Sequence, residues 1–277
     1  MIPFDLEYYK PTTVQKAVEL FQSLQMQGKN PLYFSGGTEI ITFARRRFIH
    51  PGAVVDLKAI PESNVTELQK NGLVIGCCVS LTNITETNLF PLLSEAVKGV
   101  ADQTARNKIT LGGNICGEIY YREAVLPLLL TDSRMVIAGL QGIKVINIHH
   151  VFSQWMRLEK NEFLLQTITD REYLSLPYIH FKKRQIGTVG YPLVTVAALK
   201  KDKQIRLAFS GVCAFPFRSI DLEQIVNNSS LSLAERIDQI IWNLPAPVLN
   251  NTEGTADYRT FVLKNTLFDT VKMLEGM

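Results

Sequence analysis

Pro31-Leu32-Tyr33-Phe34 is a short apolar run that breaks into Ser35-Gly36-Gly37-Thr38, and Glu39 to Phe48 follows with Ile40, Ile41, Phe43 and Ala44 at helical spacing. This succession predicts a strand, a glycine turn and a helix. Upstream, Val14, Ala17, Val18, Phe21 and Leu24 recur at helical spacing from Thr13, and the polar stretch 25–30 with Gly28 ends that helix. Downstream, Pro51-Gly52 stops the second helix and Ala53-Val54-Val55-Asp56-Leu57 reads as another strand. The first 57 residues therefore predict a small α/β unit whose turn between strand and helix is built from glycine.

The whole chain has 277 residues, which at roughly 150 residues per domain suggests two domains. Apolar residues make up 46% and charged residues 20%, values that exclude disorder and a disulfide scaffold as overall descriptions. Lys plus Arg is 29 and Asp plus Glu is 26, so the net charge is +3, too small for a nucleic-acid coat or a polybasic membrane anchor. Cys77, Cys78, Cys116 and Cys213 show no paired spacing, which predicts a reduced intracellular protein. Met1 to Glu7 carries acids and a proline where a signal peptide has basic residues and then an apolar run. The longest apolar stretch, Ala124–Leu130, falls far short of the about 18 residues a spanning helix needs. The expectation is a soluble, cytoplasmic chain with no membrane and no nucleic-acid partner.

Gly72 to Val79 has strand character, Pro91 to Val100 is helical, and Arg134 to Ala138 with Lys144 to Ile148 suggests a hairpin around Gly139–Gly142. Phe163 to Thr169 reads as one more strand. A boundary near Leu174–Pro177 leads into an antiparallel hairpin, Leu193 to Lys200 and Ile205 to Ser210, joined by Lys201-Asp202-Lys203-Gln204. Ser232 with Glu235 is a capping box before the stripe Leu233, Ile237, Ile240, Ile241 and Leu244. Tyr258, Phe261, Val262, Phe268 and Val271 mark a last helix.

Several chemistries lack their motifs: there is no G-x-G-x-x-G after the first strand, no P-loop and no G-x-S-x-G elbow. His50, His149, His150 and His180 have no zinc-ligand spacing, and His149 and His150 would face opposite ways on an extended chain. Cys77 and Cys78, neighbours on an expected strand, would place one thiol inward and one outward as packing residues. Two glycine pairs remain, Ser35-Gly36-Gly37-Thr38 and Thr110-Leu111-Gly112-Gly113-Asn114. Glycines free of Cβ can turn backbone N–H groups toward a diphosphate, a helix starting near Glu39 adds partial positive charge, and Ser35, Thr38 and Thr110 add hydroxyls. Taken alone, each pair reads mostly as an ordinary turn, and spacing does not separate the two readings.

These same residues resemble a family. Leu32-Tyr33-Phe34-Ser35-Gly36-Gly37-Thr38-Glu39 resembles the first FAD loop of the medium, FAD-binding subunits of molybdenum hydroxylases, the xanthine dehydrogenase and carbon monoxide dehydrogenase group. Arg106-Asn107-Lys108-Ile109-Thr110-Leu111-Gly112-Gly113-Asn114-Ile115-Cys116 resembles the second, longer and more specific loop. Val54-Val55-Asp56-Leu57, Glu123-Ala124-Val125-Leu126-Pro127, Phe181-Lys182, Phe215-Pro216-Phe217-Arg218 and Tyr258-Arg259 extend the likeness over nearly the whole chain. The sequence departs from the family at Gln185-Ile186-Gly187-Thr188, where some members have an Arg pair, and at Tyr120-Tyr121-Arg122, where small residues and a proline are usual.

The resemblance implies an α+β fold: a two-lobed FAD-binding domain of the vanillyl-alcohol-oxidase-like type at 1–174, its lobes about 1–57 and 58–174, and a C-terminal domain at 175–277 with a three-stranded antiparallel sheet and helices. It implies FAD contacts from Tyr33, Phe34, Ser35, Gly36, Gly37, Thr38, Glu39 and Ile40, and from Thr110, Leu111, Gly112, Gly113 and Asn114. Offsets from those motifs put Val100 and Ala101 by the adenine half, Glu123 by the ribose or ribityl hydroxyls, and Leu164 and Lys182 on the flavin side. It further implies partner subunits carrying the molybdenum cofactor and iron–sulfur clusters, with electrons passing from the clusters to FAD and on to NAD or another acceptor. No side-chain nucleophile and no metal ligand is expected here. A free-standing FAD oxidoreductase and a non-catalytic scaffold are the alternative readings, and nucleic-acid binding through Arg45-Arg46-Arg47 and Lys182-Lys183-Arg184 is the weakest.

Overall fold

A computed structural model describes residues 2–187 and 189–277. Two compact units interleave along the chain. One comprises Met1–Thr87, Gln103–Gly117 and Ser133–Asp170, the other Asn88–Asp102, Glu118–Asp132 and Arg171–Met277.

In the first unit, a three-stranded parallel sheet has the order Glu7–Tyr9, Ala53–Asp56, Leu32–Phe34. The central strand is buried along its whole length. Tyr33 lies opposite Val55 and Phe34 opposite Asp56, so the two strands finish side by side. Parallel neighbours need a crossover, and the helix Thr38–Arg45 begins it directly after the glycine turn. The helix Val14–Met26 buries Ala17, Val18, Phe21 and Leu24, and Thr13 caps it by accepting from the Lys16 amide at 3.2 Å, a bond worth about 1 kcal/mol. The second helix stops at Arg45 rather than running to Phe48. Arg47 adopts a left-handed φ of 61°, and the Phe48 amide folds back onto the Phe43 carbonyl at 2.9 Å.

The same unit holds a five-stranded antiparallel sheet in the order Thr66–Gln69, Gly72–Gly76, Phe163–Thr169, Arg134–Gly139, Gly142–Asn147. The expected hairpin is present, and its last strand lies at the sheet edge. The strand expected to run from Gly72 to Val79 ends at Gly76. The Cys77 amide then donates to the Leu165 carbonyl and the Cys78 amide to the Ser63 carbonyl, bonds outside the ladder. Cys77 and Cys78 are therefore both buried, correcting the expectation that one faces out. His149 and His150 sit on a four-residue helix, Ile148–Val151, rather than on extended chain, and both are exposed.

The second unit is built on the sheet Tyr178–Lys183, Val194–Lys201, Gln204–Ser210, Phe217–Arg218. It has four strands where three are expected, because the two-residue strand after the hairpin pairs Phe217 with Phe209 and stacks the two rings 5.0 Å apart. Helices Ile220–Val226, Leu233–Trp242 and Ala256–Glu275 complete the core with Leu222, Ile237, Leu263, Leu267 and Val271 against Val196, Leu207 and Phe209. The capping box forms as expected. Arg259 is fully buried, and its two terminal nitrogens donate to the carbonyls of Leu193 and Gly211 and to Asn251 Oδ1, offsetting a desolvation that is otherwise costly. The wholly buried helix Val125–Leu130 belongs to this unit too. No helix among the described residues is long and apolar enough to cross a membrane.

Candidate functional site

Both glycine loops lie in the first unit and meet there. Gly37 ends the turn with φ 71°, a left-handed conformation that strains residues carrying a Cβ. It is the N-cap of the helix Thr38–Arg45 and makes no side-chain capping bond, so the helix presents its first turn of N–H groups without a side-chain acceptor from that residue. Gly36 serves a different need. A Cβ there would collide with the Lys108 carbonyl and lie 3.2 Å from the Thr110 amide. The first loop thus packs backbone to backbone against the second.

A hydroxyl pair closes the junction, with Ser35 Oγ and Thr110 Oγ1 2.8 Å apart. Lys58 brings a cation. Its ammonium donates to the Ser35 carbonyl at 2.7 Å, pairs with Asp56 at 2.9 Å and lies over the Phe34 ring at 4.6 Å. Asp56, at the end of the central strand, is 1% exposed and also accepts from the Lys58 amide and the Tyr8 hydroxyl. That last bond, with burial, pushes Tyr8 up to about 12. Asp56, Lys58 and Tyr8 were not singled out in the sequence as site residues. The available signal was position, since Asp56 ends a parallel strand at the edge where such sheets bind ligands.

The second pair is not a copy of the first. Thr110 is the N-cap of Leu111–Cys116 and accepts from the Gly113 amide at 3.2 Å. The Leu111 amide donates to Val79, the Gly112 amide to Cys77 and the Asn114 amide to Thr110, each at 2.9 Å. Gly112 is buried, and a Cβ on it would stand 2.6 Å from that of Cys77. Gly113 is exposed, and outside its own helix and chain neighbours the near contact of a Cβ built there is Thr110 Oγ1, at 3.0 Å. Gly112 is a packing glycine, while Gly113 leaves an open cradle. Glu39 reaches toward the end of this loop, with its carboxylate 3.1 Å from a Cβ built on Gly117.

The other expected residues fall in three places. Thr38 is exposed and Ile40 half-buried on the first turn of the first-loop helix, while Leu111 is buried and Asn114 half-buried. Tyr33 turns inward, stacked on Phe21 at 4.2 Å and near Phe163 at 4.7 Å, its hydroxyl donating to the Asn161 carbonyl; burial pushes its phenol upward. Leu164 is a core residue on the central strand of the five-stranded sheet. Val100, Ala101, Glu123 and Lys182 belong to the second unit. There Glu123 and Lys182 form an ion pair with side chains 2% and 6% exposed. Thr195 donates to the other Glu123 oxygen at 2.6 Å, and Lys182 donates to the Gly99 carbonyl at 2.8 Å. Val100 is buried and Ala101 follows it with φ 47°. Tyr121 is buried between Tyr120 and Tyr191, at 4.6 and 4.5 Å, and its hydroxyl accepts from Asn251. Thr188, in the segment that departs from the family's Arg pair, lies outside the described residues, as does Met1.

A helix N-terminus without a side-chain cap, an ammonium and an exposed glycine suit a ligand with several anionic oxygens. Residues 4–168 match the family described as the FAD binding domain in molybdopterin dehydrogenase. Among curated proteins, the chain is similar to the glyceraldehyde dehydrogenase medium chain of Sulfolobus acidocaldarius, 22% identical over 268 residues that cover 94% of this chain and 92% of the relative. It is also similar to the xanthine dehydrogenase FAD-binding subunit of Escherichia coli O157:H7, 24% identical over 233 residues, covering 79% and 80%. Among solved structures, a chain of carbon monoxide dehydrogenase from Hydrogenophaga pseudoflava has the same fold, with a TM-score of 0.87 at 22% identity over 98% of both chains.

Proposed function

This chain belongs to the family of FAD-binding domains of molybdopterin dehydrogenases and its cofactor is FAD, and from that premise we propose that it is the flavin subunit of a xanthine dehydrogenase-like molybdenum hydroxylase. Its partners in this reading are a molybdenum-cofactor subunit and an iron–sulfur subunit, its compartment is the cytoplasm, and its holoenzyme takes a purine. The chemistry that FAD supplies when bound is electron transfer between the clusters of the partner and NAD or another acceptor.

The observation that carries the proposal is the junction of the two glycine loops, where Ser35 and Thr110 sit 2.8 Å apart and Gly36 abuts the Lys108 backbone. In this reading Thr38, Glu39 and Ile40 offer the amides of an open helix start to the diphosphate. Gly113 admits it without a Cβ in the way, the Ser35–Thr110 pair holds the two loops together around it, and Lys58 adds a positive charge. Phe34, Gly37, Leu111, Gly112 and Asn114 shape the two loops. Tyr33 and Leu164 support them from the core. Val100, Ala101, Glu123 and Lys182 serve the remaining parts of the cofactor, with Thr195 fixing the Glu123 carboxylate against Lys182. The functional division is 1–174 for FAD, in lobes about 1–57 and 58–174, and 175–277 for the accessory domain.

The test is the visible absorption of the purified chain, followed by identification of the flavin released on denaturation. About one FAD per chain supports the reading. A chain that stays colourless after incubation with FAD, or that releases a different flavin, contradicts it. Copurification with iron–sulfur and molybdenum subunits, and reduction of NAD by the complex with xanthine, test the finer parts.

A further inference from the structure

Beneath the glycine junction lies a pair of adjacent thiols that the flavin reading does not use. Cys77 and Cys78 are 2% and 7% exposed, and their sulfurs are 3.8 Å apart. Ser35 Oγ donates to Cys78 Sγ at 3.2 Å. One ordering of protons joins this sulfur to both loops: the Gly113 amide donates to Thr110 Oγ1, Thr110 to Ser35 Oγ, and Ser35 to Cys78. The Cys77 backbone is tied to the second loop as well, since its carbonyl accepts from the Gly112 amide.

We propose that Cys77 and Cys78 are a peroxide-oxidisable vicinal dithiol, and that its closure to a disulfide withdraws the acceptor from Ser35 and loosens the junction of the glycine loops. The two thiols have unequal roles. The hydrogen bonds from Cys77 and Ser35, with Lys58 nearby, lower the Cys78 thiol against burial, which raises it, while the bond given to Cys78 and burial raise Cys77. Cys78 is therefore the nucleophile and Cys77 the resolving thiol. The Cys78 thiolate attacks hydrogen peroxide, forming an S–O bond as the O–O bond breaks and hydroxide leaves. The Cys77 sulfur then attacks the Cys78 sulfenic acid; its proton leaves with the departing hydroxide as water. In sum, two thiols and one hydrogen peroxide give one disulfide and two waters, a two-electron exchange. The sulfurs must close from 3.8 Å to about 2.05 Å. Neighbouring Cα atoms stand about 3.8 Å apart, less than a relaxed disulfide prefers, so the bond is strained and readily reduced.

The effect on flavin rests on the proposed glycine-loop site; the thiol chemistry does not. The experiment exposes the purified full chain to hydrogen peroxide, quenches with acid, alkylates under denaturation and maps the peptides by mass. The chain has four cysteines, and the expected result is loss of two alkylation sites, Cys77 and Cys78 together, with both restored by dithiothreitol. Cys77→Ser should instead give a Cys78 sulfenate that dimedone traps, and Cys78→Ser should leave Cys77 unoxidised. If Cys78→Ser does not fold, Cys77→Ser alone decides the point. Retention of all four alkylation sites, or oxidation of the exposed Cys116 with the pair intact, overturns the proposal. On the same samples, release of bound FAD, followed by its fluorescence, should quicken several-fold on closure and recover on reduction. A disulfide that forms with release unchanged overturns the coupling to the loops. A reduced wild-type chain that binds no FAD instead marks failure of the flavin reading, which the thiol count reports separately.

Discussion

The two loops share a Gly-Gly pair and use it differently in structure. Gly36 allows backbone to meet backbone, and Gly37 supplies the left-handed turn that opens a helix start. In the second pair, Gly112 is buried against Cys77 and its amide is spent on the Cys77 carbonyl, whereas Gly113 is exposed beside Thr110. In the second pair one member packs and the other faces outward; in the first, Gly36 packs on the second loop and Gly37, half-buried with a Cβ built on it colliding with the Phe34 ring, supplies the turn. Three substitutions test this contrast by separating stability from flavin retention.

Gly36→Val is expected to have the largest effect, because its side chain would enter the space of the Lys108 carbonyl, which cannot rotate away. Overpacking of this kind costs about 1–3 kcal/mol. The urea midpoint should fall and bound FAD should be lost together. Gly112→Ala comes next. Its Cβ would stand 2.6 Å from that of Cys77, so stability should fall by roughly 1–2 kcal/mol while the folded fraction still binds FAD when the flavin is in excess. Equal loss of flavin from folded Gly112→Ala would erase the distinction between the two members of the pair. Lys58→Met should be mildest. The Lys58 side chain is 39% exposed and Asp56 keeps two other donors, so stability should change by less than about 1 kcal/mol. FAD affinity measured by fluorescence titration should weaken several-fold, and its dependence on salt should shrink. Affinity unchanged across ionic strength would remove Lys58 from the site.

Much of the fold was legible because its signals are local. The stripe from Val14 to Leu24, the capping box at Ser232 and Glu235, and the hairpins around Gly139–Gly142 and Lys201–Gln204 all form as their sequences predict. What escaped depends on long-range contacts. Gly72 to Val79 looks like one strand, but the chain leaves the ladder at Gly76 because the next two amides find Leu165 and Ser63. That departure buries both cysteines under the glycine loops, which no alternation rule can foresee. Glu123 and Lys182 stand 59 residues apart and meet in a buried pair, so neither residue's sequence neighbours reveal the other. Asp56 was visible as a strand end, but its role in aiming Lys58 at Ser35 needs the parallel sheet in place. The motif resemblance supplied the cofactor; the structure separates which glycine packs and which faces out.

The most direct test of that account is the flavin content of Gly113→Val, measured with its urea midpoint. Gly113 is exposed, and outside its own helix and chain neighbours a Cβ built on it has Thr110 Oγ1 as its near contact, at 3.0 Å, so the fold should lose about 1 kcal/mol or less. The account predicts a folded chain with a near wild-type midpoint and no bound FAD, beside a wild-type chain carrying about one FAD. A folded Gly113→Val chain that keeps a full equivalent of FAD would contradict it.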